Sequence, residues 1–162
     1  MLDLHPQPLT RSNFQPFGCV IETDHAESFL INEGTTHRYH ALARADVVDG
    51  SAIISIFRGT PRPKPIEINM LERHPLGSQA FFPLSPHPWL IVVANGGDTA
   101  PGDCRAFTAR GDQGIQYARN VWHHPLLVLA PEQDFLVVDR QGDGTNVEEF
   151  VFPQPPCRIV CP

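Results

Sequence analysis

The chain has 162 residues, of which 41% are hydrophobic and 19% charged, and its formal net charge is −6 at pH 7. These values are typical of one globular domain with a sizeable core. The negative charge and the lack of a basic stripe argue against a nucleic-acid partner. No apolar run approaches the roughly 18 residues of a membrane span, and residues 1–7 lack the pattern of a signal peptide. We therefore expect a cytoplasmic protein without a membrane partner.

Prolines and glycines decide the fold class. The chain contains 17 prolines and 12 glycines, and no apolar pattern of helical period continues for ten residues without meeting one. Short β-rich runs at roughly even spacing predict a β-sandwich or β-barrel. The predicted strands cover 17–23, 39–48, 51–57, 65–71, 79–84, 89–95, 104–108, 115–118, 126–130 and 135–139. The one predicted helix is a single turn, Thr10–Phe14, which Thr10 can cap.

Two of these strands, Leu90–Ala94 and Phe135–Val138, contain apolar runs and are expected to be buried on both faces. We predict one domain over residues 1–152 and a Pro-rich tail over residues 153–162 that is extended and poorly ordered. The four cysteines lack the C-x-x-C spacing of a zinc or redox site, so we interpret them as free thiols.

Two adjacent histidines, His123 and His124, lie between the apolar pair Val121–Trp122 and Pro125. Neighbouring side chains on a strand point to opposite faces. Only one of the two histidines is therefore expected to face a site, while the other faces a packed or solvated surface. The structural alternative is that both simply cap the end of a strand.

A second polar stretch lies within Leu71–Pro83. Glu72 and His74 are two residues apart and share a face if the chain is extended. Gln79 begins the next run, so three polar side chains can converge from two adjoining strands, with His123 as a fourth. Apolar walls with a few placed polar groups are typical of a small-molecule pocket. The aromatic residues nearby are Phe81, Phe82 and Trp122. The structural alternative is a charged strand edge followed by an ordinary turn.

The spacing E-x-H-(x)4-Q, followed downstream by N-x-W-H, resembles a degenerate cupin pattern. Cupins place four ligands inside a β-barrel, and the corresponding positions here are Glu72, His74, Gln79 and His123. More specifically, five motifs resemble the bacterial ureidoglycolate lyase family. They are F-x-x-F-G-x-V-I-E-T (14–23), I-N-x-G-x-x-x-R-Y-H (31–40), L-E-R-H-P-L-G-S-Q-A-F-x-P (71–83), R-N-V-W-H-H-P-L (119–126) and D-F-L-x-x-D-R (134–140). The resemblance covers about residues 9–150 and leaves the tail outside.

The resemblance implies an all-β, cupin-like double-stranded β-helix barrel that pairs as a homodimer. It also implies an enzyme that cleaves ureidoglycolate to glyoxylate and urea in allantoin (purine) breakdown. Two alternatives stay open at this stage. One is another cupin-type enzyme acting on a small hydroxy or keto acid, and the other is a non-enzymatic cupin that binds a small ligand. Release of ammonia in place of urea also stays open.

Collapse of ureidoglycolate needs a base for the hydroxyl proton, an acid for the leaving nitrogen and a group that holds the carboxylate. Histidine transfers protons near neutral pH because its unperturbed pKa is about 6.5. With the resemblance, we predict His74 and His123 as the proton-transfer pair and Glu72 as their partner. Glu72 can itself be the base if burial raises its pKa. Gln79 is predicted to position the substrate.

The carboxylate is predicted to bind Arg38 or Arg119, because a guanidinium can donate two parallel hydrogen bonds to it. A surface salt bridge is the alternative for either arginine. Asn120 and Tyr117 flank the predicted site and are further candidates for substrate binding. Arg73 is expected to point away from His74 on a regular strand.

The sequence leaves the need for a metal open. If a divalent metal such as Ni, Mn or Zn is present, its predicted ligands are Glu72, His74, Gln79 and His123. An amide at position 79, where cupins usually have a carboxylate, removes a charge and lowers the expected affinity. The collapse can also proceed by acid–base catalysis alone.

Overall fold

The chain folds almost entirely into short strands. The computed structural model describes residues 1–96 and 100–160. The strands are β1 (Leu2–Leu4), β2 (Gln7–Pro8), β3 (Gly18–Ile21), β4 (Ser28–Ile31), β5 (Thr36–Tyr39), β6 (Ser51–Gly59), β7 (Ile66–Ile68), β8 (Met70–Arg73), β9 (Gln79–Pro83), β10 (Trp89–Gly96), β11 (Pro101–Ala109), β12 (Gly114–Tyr117), β13 (Trp122–His123), β14 (Leu127–Val128), β15 (Gln133–Gln141), β16 (Glu148–Val151) and β17 (Cys157–Ile159). Helix α1 (Arg11–Phe14) and a 3₁₀ turn (Gln15–Phe17) complete the described part.

The strands form two large sheets and two small ones. A seven-stranded sheet has the order β16-β8-β13-β10-β11-β2, with β14 also paired to β10. A five-stranded sheet has the order β3-β12-β9-β15-β6. A three-stranded sheet joins β1, β17 and β7, and β4 and β5 form a separate hairpin. The predicted all-β, cupin-like class is confirmed. It takes the form of facing sheets that do not close into one continuous barrel.

Strand β10 lies between two hydrophobic clusters. Ile91 and Val93 pack with side chains of the five-stranded sheet. Leu90, Val92 and Ala94 pack with side chains of the three-stranded sheet. The prediction that Leu90–Ala94 is buried on both faces is therefore confirmed. The apolar run arises because this strand has a sheet on either side of it, so neither face meets water.

The same prediction is wrong for Phe135–Val138. Phe135 and Val137 are fully buried, but Leu136 is 37% exposed. The run alternates because β15 belongs to the five-stranded sheet, and only the face toward the seven-stranded sheet is covered within the chain. Hydrophobicity alone does not distinguish an apolar residue on the outer face of a strand from one on the buried inner face.

The predicted strand over residues 39–48 is also wrong. Strand β5 ends at Tyr39, and Ala41 has φ of +49°, which breaks an extended chain. Its neighbour β4 was not predicted. The helical turn is confirmed: Thr10 caps α1 by accepting a hydrogen bond from the Asn13 backbone N–H. No described helix has the length and apolar character needed to cross a membrane.

The tail differs from the expectation of poor order. Strand β17 lies between β1, to which it is parallel, and β7, to which it is antiparallel. Cys157 and Ile159 are buried against the core, and Arg158 faces outward, where its Nε lies 2.7 Å from Asp3 Oδ1. The tail is anchored because this alternation supplies two apolar side chains to a sheet. Cys19, Cys104 and Cys157 are free thiols as predicted, and Cys161 lies outside the described residues.

Candidate active site

Two directly opposed residue pairs place the polar cluster between the large sheets. Glu72 on β8 is the register partner of His123 on β13 in the seven-stranded sheet. Gln79 on β9 is the partner of Tyr117 on β12 in the five-stranded sheet. The Tyr117 ring stacks on the His123 imidazole, with centroids 4.0 Å apart and planes inclined by 14°. The site therefore spans the space between the two sheets.

Backbone carbonyls determine which nitrogen of each histidine carries the proton. His74 Nδ1 lies 2.8 Å from the Asn146 carbonyl oxygen, and His123 Nδ1 lies 2.8 Å from that of Val121. A carbonyl oxygen can only accept, so each Nδ1 carries the hydrogen and donates it. In the neutral rings, Nε2 is then left with its lone pair. The same arrangement orients histidines that bind metals.

The two free lone pairs converge on one carboxylate. His123 Nε2 lies 3.6 Å from Glu72 Oε1, and His74 Nε2 lies 3.9 Å from the same oxygen. Both Nε2 atoms and Gln79 Oε1 are buried and have no hydrogen-bond partner within the described residues. A buried acceptor without a donor is unfavourable. The cluster is therefore arranged to receive a cation or the O–H and N–H groups of a ligand.

The electrostatics keep Glu72 charged and His74 neutral. Burial acts to raise the pKa of Glu72, but contact with His123 and the nearby His74 and His124 imidazoles outweighs it and lowers the pKa. Burial, together with the neighbouring His123, lowers the pKa of His74. The condition for Glu72 acting through a raised pKa is thus not met. Glu72 is instead a carboxylate at neutral pH.

His124 lies nearer to the cluster than strand alternation predicts. Strand β13 ends at His123, and the His124 N–H donates to the Val92 carbonyl. Its Nδ1 lies 2.8 Å from the Pro125 oxygen, and its buried Nε2 has no partner among the described residues. Burial lowers the pKa of His124 to about 4, and the positive charge of Arg62 contributes. The alternation argument fails here because it holds only within a regular strand.

An open cavity of about 670 Å³ leads to the cluster. Glu72 and Gln79 line it from the two sheets, and Phe81 and Leu126 form an apolar wall. The remaining lining comes from the end of β6 and the loop that follows it, from Phe57 to Pro63, and from Pro125. A cavity of this size, mostly apolar with a few polar groups, is typical of a small-molecule site.

The other predicted substrate residues are separated by the fold. Arg38 lies on the exposed β4–β5 hairpin, 5.8 Å from the Phe29 ring centroid, and does not line this cavity. Arg119 is paired with Asp46 at 2.8 Å, which is the surface salt bridge considered as its alternative. Asn120 lines a different cavity, and its backbone N–H donates to the His74 carbonyl. Of the residues predicted to bind the substrate besides Gln79, only Tyr117 contacts the cluster, through its stacking on His123.

Arg73 points away from the cluster as predicted. Its guanidinium lies 2.6 Å from Glu148 and 4.6 Å from the Trp122 ring centroid, on the other face of β8. The sequence interpretation missed His124 and the arginines at the cavity mouth, Arg58 and Arg62. The segment containing Arg62 lies between the predicted strands 51–57 and 65–71, and its alternating prolines are a signal for a stiff loop.

An all-β, cupin-like fold with a carboxylate and two histidine lone pairs at the end of a cavity is typical of an enzyme that acts on a small molecule. The profile of the family described as ureidoglycolate lyase matches residues 1–159. The chain therefore belongs to the ureidoglycolate lyase family and is a lyase. The match extends into the tail, which the sequence motifs had left outside the resemblance.

Curated relatives agree with the family assignment. The chain is 56% identical over 151 residues to a ureidoglycolate lyase of Rhizobium etli, an alignment that covers 92% of this chain and 91% of that relative. It is 53% identical over 156 residues to one of Burkholderia mallei, covering 95% and 92%. It is 55% identical over 148 residues to one of Brucella melitensis, covering 90% and 88%.

Proposed function

We propose that this chain cleaves ureidoglycolate to glyoxylate and urea, as a step of allantoin breakdown. Family membership and the names of the relatives support the substrate. The observation that carries the proposal is the convergence of Glu72 with the free Nε2 atoms of His74 and His123 at the end of one cavity. The reaction requires acceptors for an O–H proton at one carbon, and this cluster supplies them.

The chemistry needs only one proton to move. The substrate carbon carries a hydroxyl, a ureido nitrogen and a carboxylate. As the hydroxyl oxygen forms a C=O bond, its proton leaves, the C–N bond breaks, and the released nitrogen takes a proton to become urea. No water is consumed. A group that accepts the first proton and returns one to the nitrogen is therefore sufficient.

We infer that Glu72, His74 and His123 perform this transfer as a unit. Glu72 is ionised and His74 is neutral at pH 7, so both begin as acceptors. The 3.6 and 3.9 Å separations let a proton be shared within the cluster until the nitrogen leaves. Phe81 and Leu126 exclude water from one side of the cavity, which strengthens these interactions.

The same donor set fits a divalent metal, and we propose that one binds here. Potential ligand atoms of Glu72, His74 and His123 all lie within 4.8 Å of one another. The orphaned Gln79 Oε1 is a weaker fourth candidate. Imidazole nitrogen with carboxylate oxygen suits Ni, Mn or Zn. When bound, such an ion would polarise the hydroxyl oxygen of the substrate.

Product analysis tests the proposed reaction. Purified protein is incubated with ureidoglycolate, and glyoxylate, urea and ammonia are followed separately. We expect glyoxylate and urea in equal amounts without ammonia, because the cluster moves a proton and activates no water. Ammonia in place of urea would make the chain a hydrolase. Absence of turnover with every divalent metal tested would overturn the proposal.

Metal binding is read out independently of activity in the same preparation. After treatment with a chelator, the protein is titrated with Ni²⁺, Mn²⁺ and Zn²⁺ by calorimetry. We expect one site per chain that is lost in His123→Ala. The matched control is His37→Ala, because His37 lies on the exposed β4–β5 hairpin. Equal binding by the wild type and His123→Ala would contradict the assigned ligands.

We also propose that two copies pair through the edge of the five-stranded sheet. Strand β6 is the outer strand of that sheet and is nine residues long. Ile54 and Ile56 on it are 72% and 55% exposed, and Leu136 lies opposite Ile56 on β15. A long apolar edge strand exposes unpaired backbone groups that a second copy can cover.

Sedimentation of the wild type and Ile54→Lys tests this pairing. We expect a dimer for the wild type and a monomer for the variant, because a charged side chain would replace an apolar one at the paired edge. Val151→Lys is the control, since Val151 is 68% exposed on an edge strand of the other large sheet. A wild-type monomer, or a dimer disrupted only by Val151→Lys, would contradict the proposed edge.

A further inference from the structure

The proposed substrate carries a carboxylate, and the side chains of the cluster at the end of the cavity present acceptors to it. Glu72 is negatively charged, and the free atoms of His74, His123 and Gln79 described above are acceptors. A carboxylate placed against acceptors alone would be repelled. If the protein itself supplies the positive charge for the carboxylate, that charge lies elsewhere along the cavity wall.

Two arginines line the cavity mouth, and they differ in whether an acidic side chain is paired with them. Arg58 donates through Nε and Nη2 to both carboxylate oxygens of Asp134, at 2.8 and 2.9 Å. This bidentate pair compensates the charge of Arg58. Arg62 lines the same cavity and makes no ion pair with a described carboxylate within 4.0 Å. Its full positive charge is thus available to an anion.

The loop that carries Arg62 is stiff. It has the sequence Thr60-Pro61-Arg62-Pro63-Lys64-Pro65. Each proline fixes its own φ and restricts the residue before it to extended conformations. The Arg62 backbone is therefore restricted, and little backbone conformational entropy is lost when its side chain binds a ligand. Lys64, two residues further on, lines another cavity, with Asp3 and Arg158.

We propose that the Arg62 guanidinium binds the substrate carboxylate at the mouth of the cavity that contains Glu72 and Gln79. Arg62 lines the same cavity as Glu72 and Gln79, so its charge lies along the path by which the substrate reaches the cluster. A guanidinium matches a carboxylate with two parallel donors. With the carboxylate bound at the mouth, the hydroxyl and ureido groups point toward Glu72 and the two histidines. This assignment rests on the proposed function and replaces Arg38 and Arg119 as the clamp.

Steady-state kinetics of Arg62→Ala tests the assignment, with Lys64→Ala as the matched control from the same loop. We expect KM for ureidoglycolate to rise by about 10- to 100-fold in Arg62→Ala, which is the usual cost of a lost charge-assisted hydrogen bond. The change in kcat should be smaller, because Arg62 does not touch the reacting atoms. Arg62→Lys should recover part of the loss, and Lys64→Ala should match the wild type.

A neutral substrate separates a carboxylate contact from a general effect on the loop. With the primary amide of ureidoglycolate, wild type and Arg62→Ala should have similar KM values. Equal KM values of Arg62→Ala and Lys64→Ala for ureidoglycolate would overturn the proposal. So would a KM that rises in Arg58→Ala and not in Arg62→Ala. Failure of the wild type to turn over would instead overturn the proposed function, so the two failures are distinguishable.

Discussion

Glu72→Gln is expected to lower kcat/KM by about 1,000-fold, within the range for loss of a proton-transferring group. This corresponds to about 4 kcal/mol of transition-state stabilisation. Glutamine keeps the shape of the side chain but cannot carry the negative charge or accept a proton in place of the carboxylate. It also removes the carboxylate that lies 3.9 and 3.6 Å from the Nε2 atoms of His74 and His123 and shares the transferred proton with them. Steady-state kinetics with ureidoglycolate measures the effect.

The matched control is Glu67→Gln, which makes the same chemical change at an exposed position on β7. We expect Glu67→Gln to retain wild-type activity, and both variants to keep the wild-type circular dichroism spectrum. If Glu72→Gln kept kcat/KM within a few-fold of the wild type, the cluster would not be the catalytic group. A folded Glu72→Gln with no turnover but normal binding of glyoxylate would support a role in chemistry.

Phe135→Ala is expected to destabilise the fold by about 3–5 kcal/mol, the usual cost of removing a large buried aromatic side chain. Phe135 is fully buried and packs edge-on against Trp89 and Phe81, with ring centroids 4.9 and 6.4 Å away. Alanine would leave a cavity between the two large sheets. Such a loss is a substantial share of the stability of a typical domain. Urea unfolding of the wild type and the variant measures it.

The adjacent residue provides the control for this prediction. Leu136 points to the opposite face of β15 and is 37% exposed, so Leu136→Ala should cost much less than Phe135→Ala in a monomer. The comparison is made at a protein concentration where any dimer is dissociated. Equal losses from the two substitutions would contradict the assignment of the inner and outer faces. The result also bears on the site, because Phe81 contacts Phe135 and lines the cavity.

Local sequence was sufficient for the β class and for part of the cluster. Turn-forming residues at even spacing excluded long helices, and β10 could be predicted as buried because every residue from Leu90 to Ala94 is apolar. Glu72 and His74 could be linked because they are two residues apart. Their association with His123 came from the resemblance, since no local period relates positions so far apart in the chain.

Tertiary pairing decided the rest of the site. The register that places Glu72 opposite His123, and Gln79 opposite Tyr117, depends on hydrogen bonds between distant strands. Backbone hydrogen bonds between two strands can form in many registers, so the local sequence does not select one of them. The sequence also could not show which arginine lacks an acidic partner. Arg119, for example, is paired with Asp46, 73 residues away along the chain.

Three features therefore follow from composition and spacing: an all-β chain, a polar stretch at residues 72–79 and a candidate histidine at position 123. The side-chain faces of β15, the anchoring of β17, the position of His124 and the arginines at the cavity mouth follow only from the folded chain. The physical reason is common to all four. Each depends on what covers a residue, and in a sheet protein the covering strand comes from far along the chain.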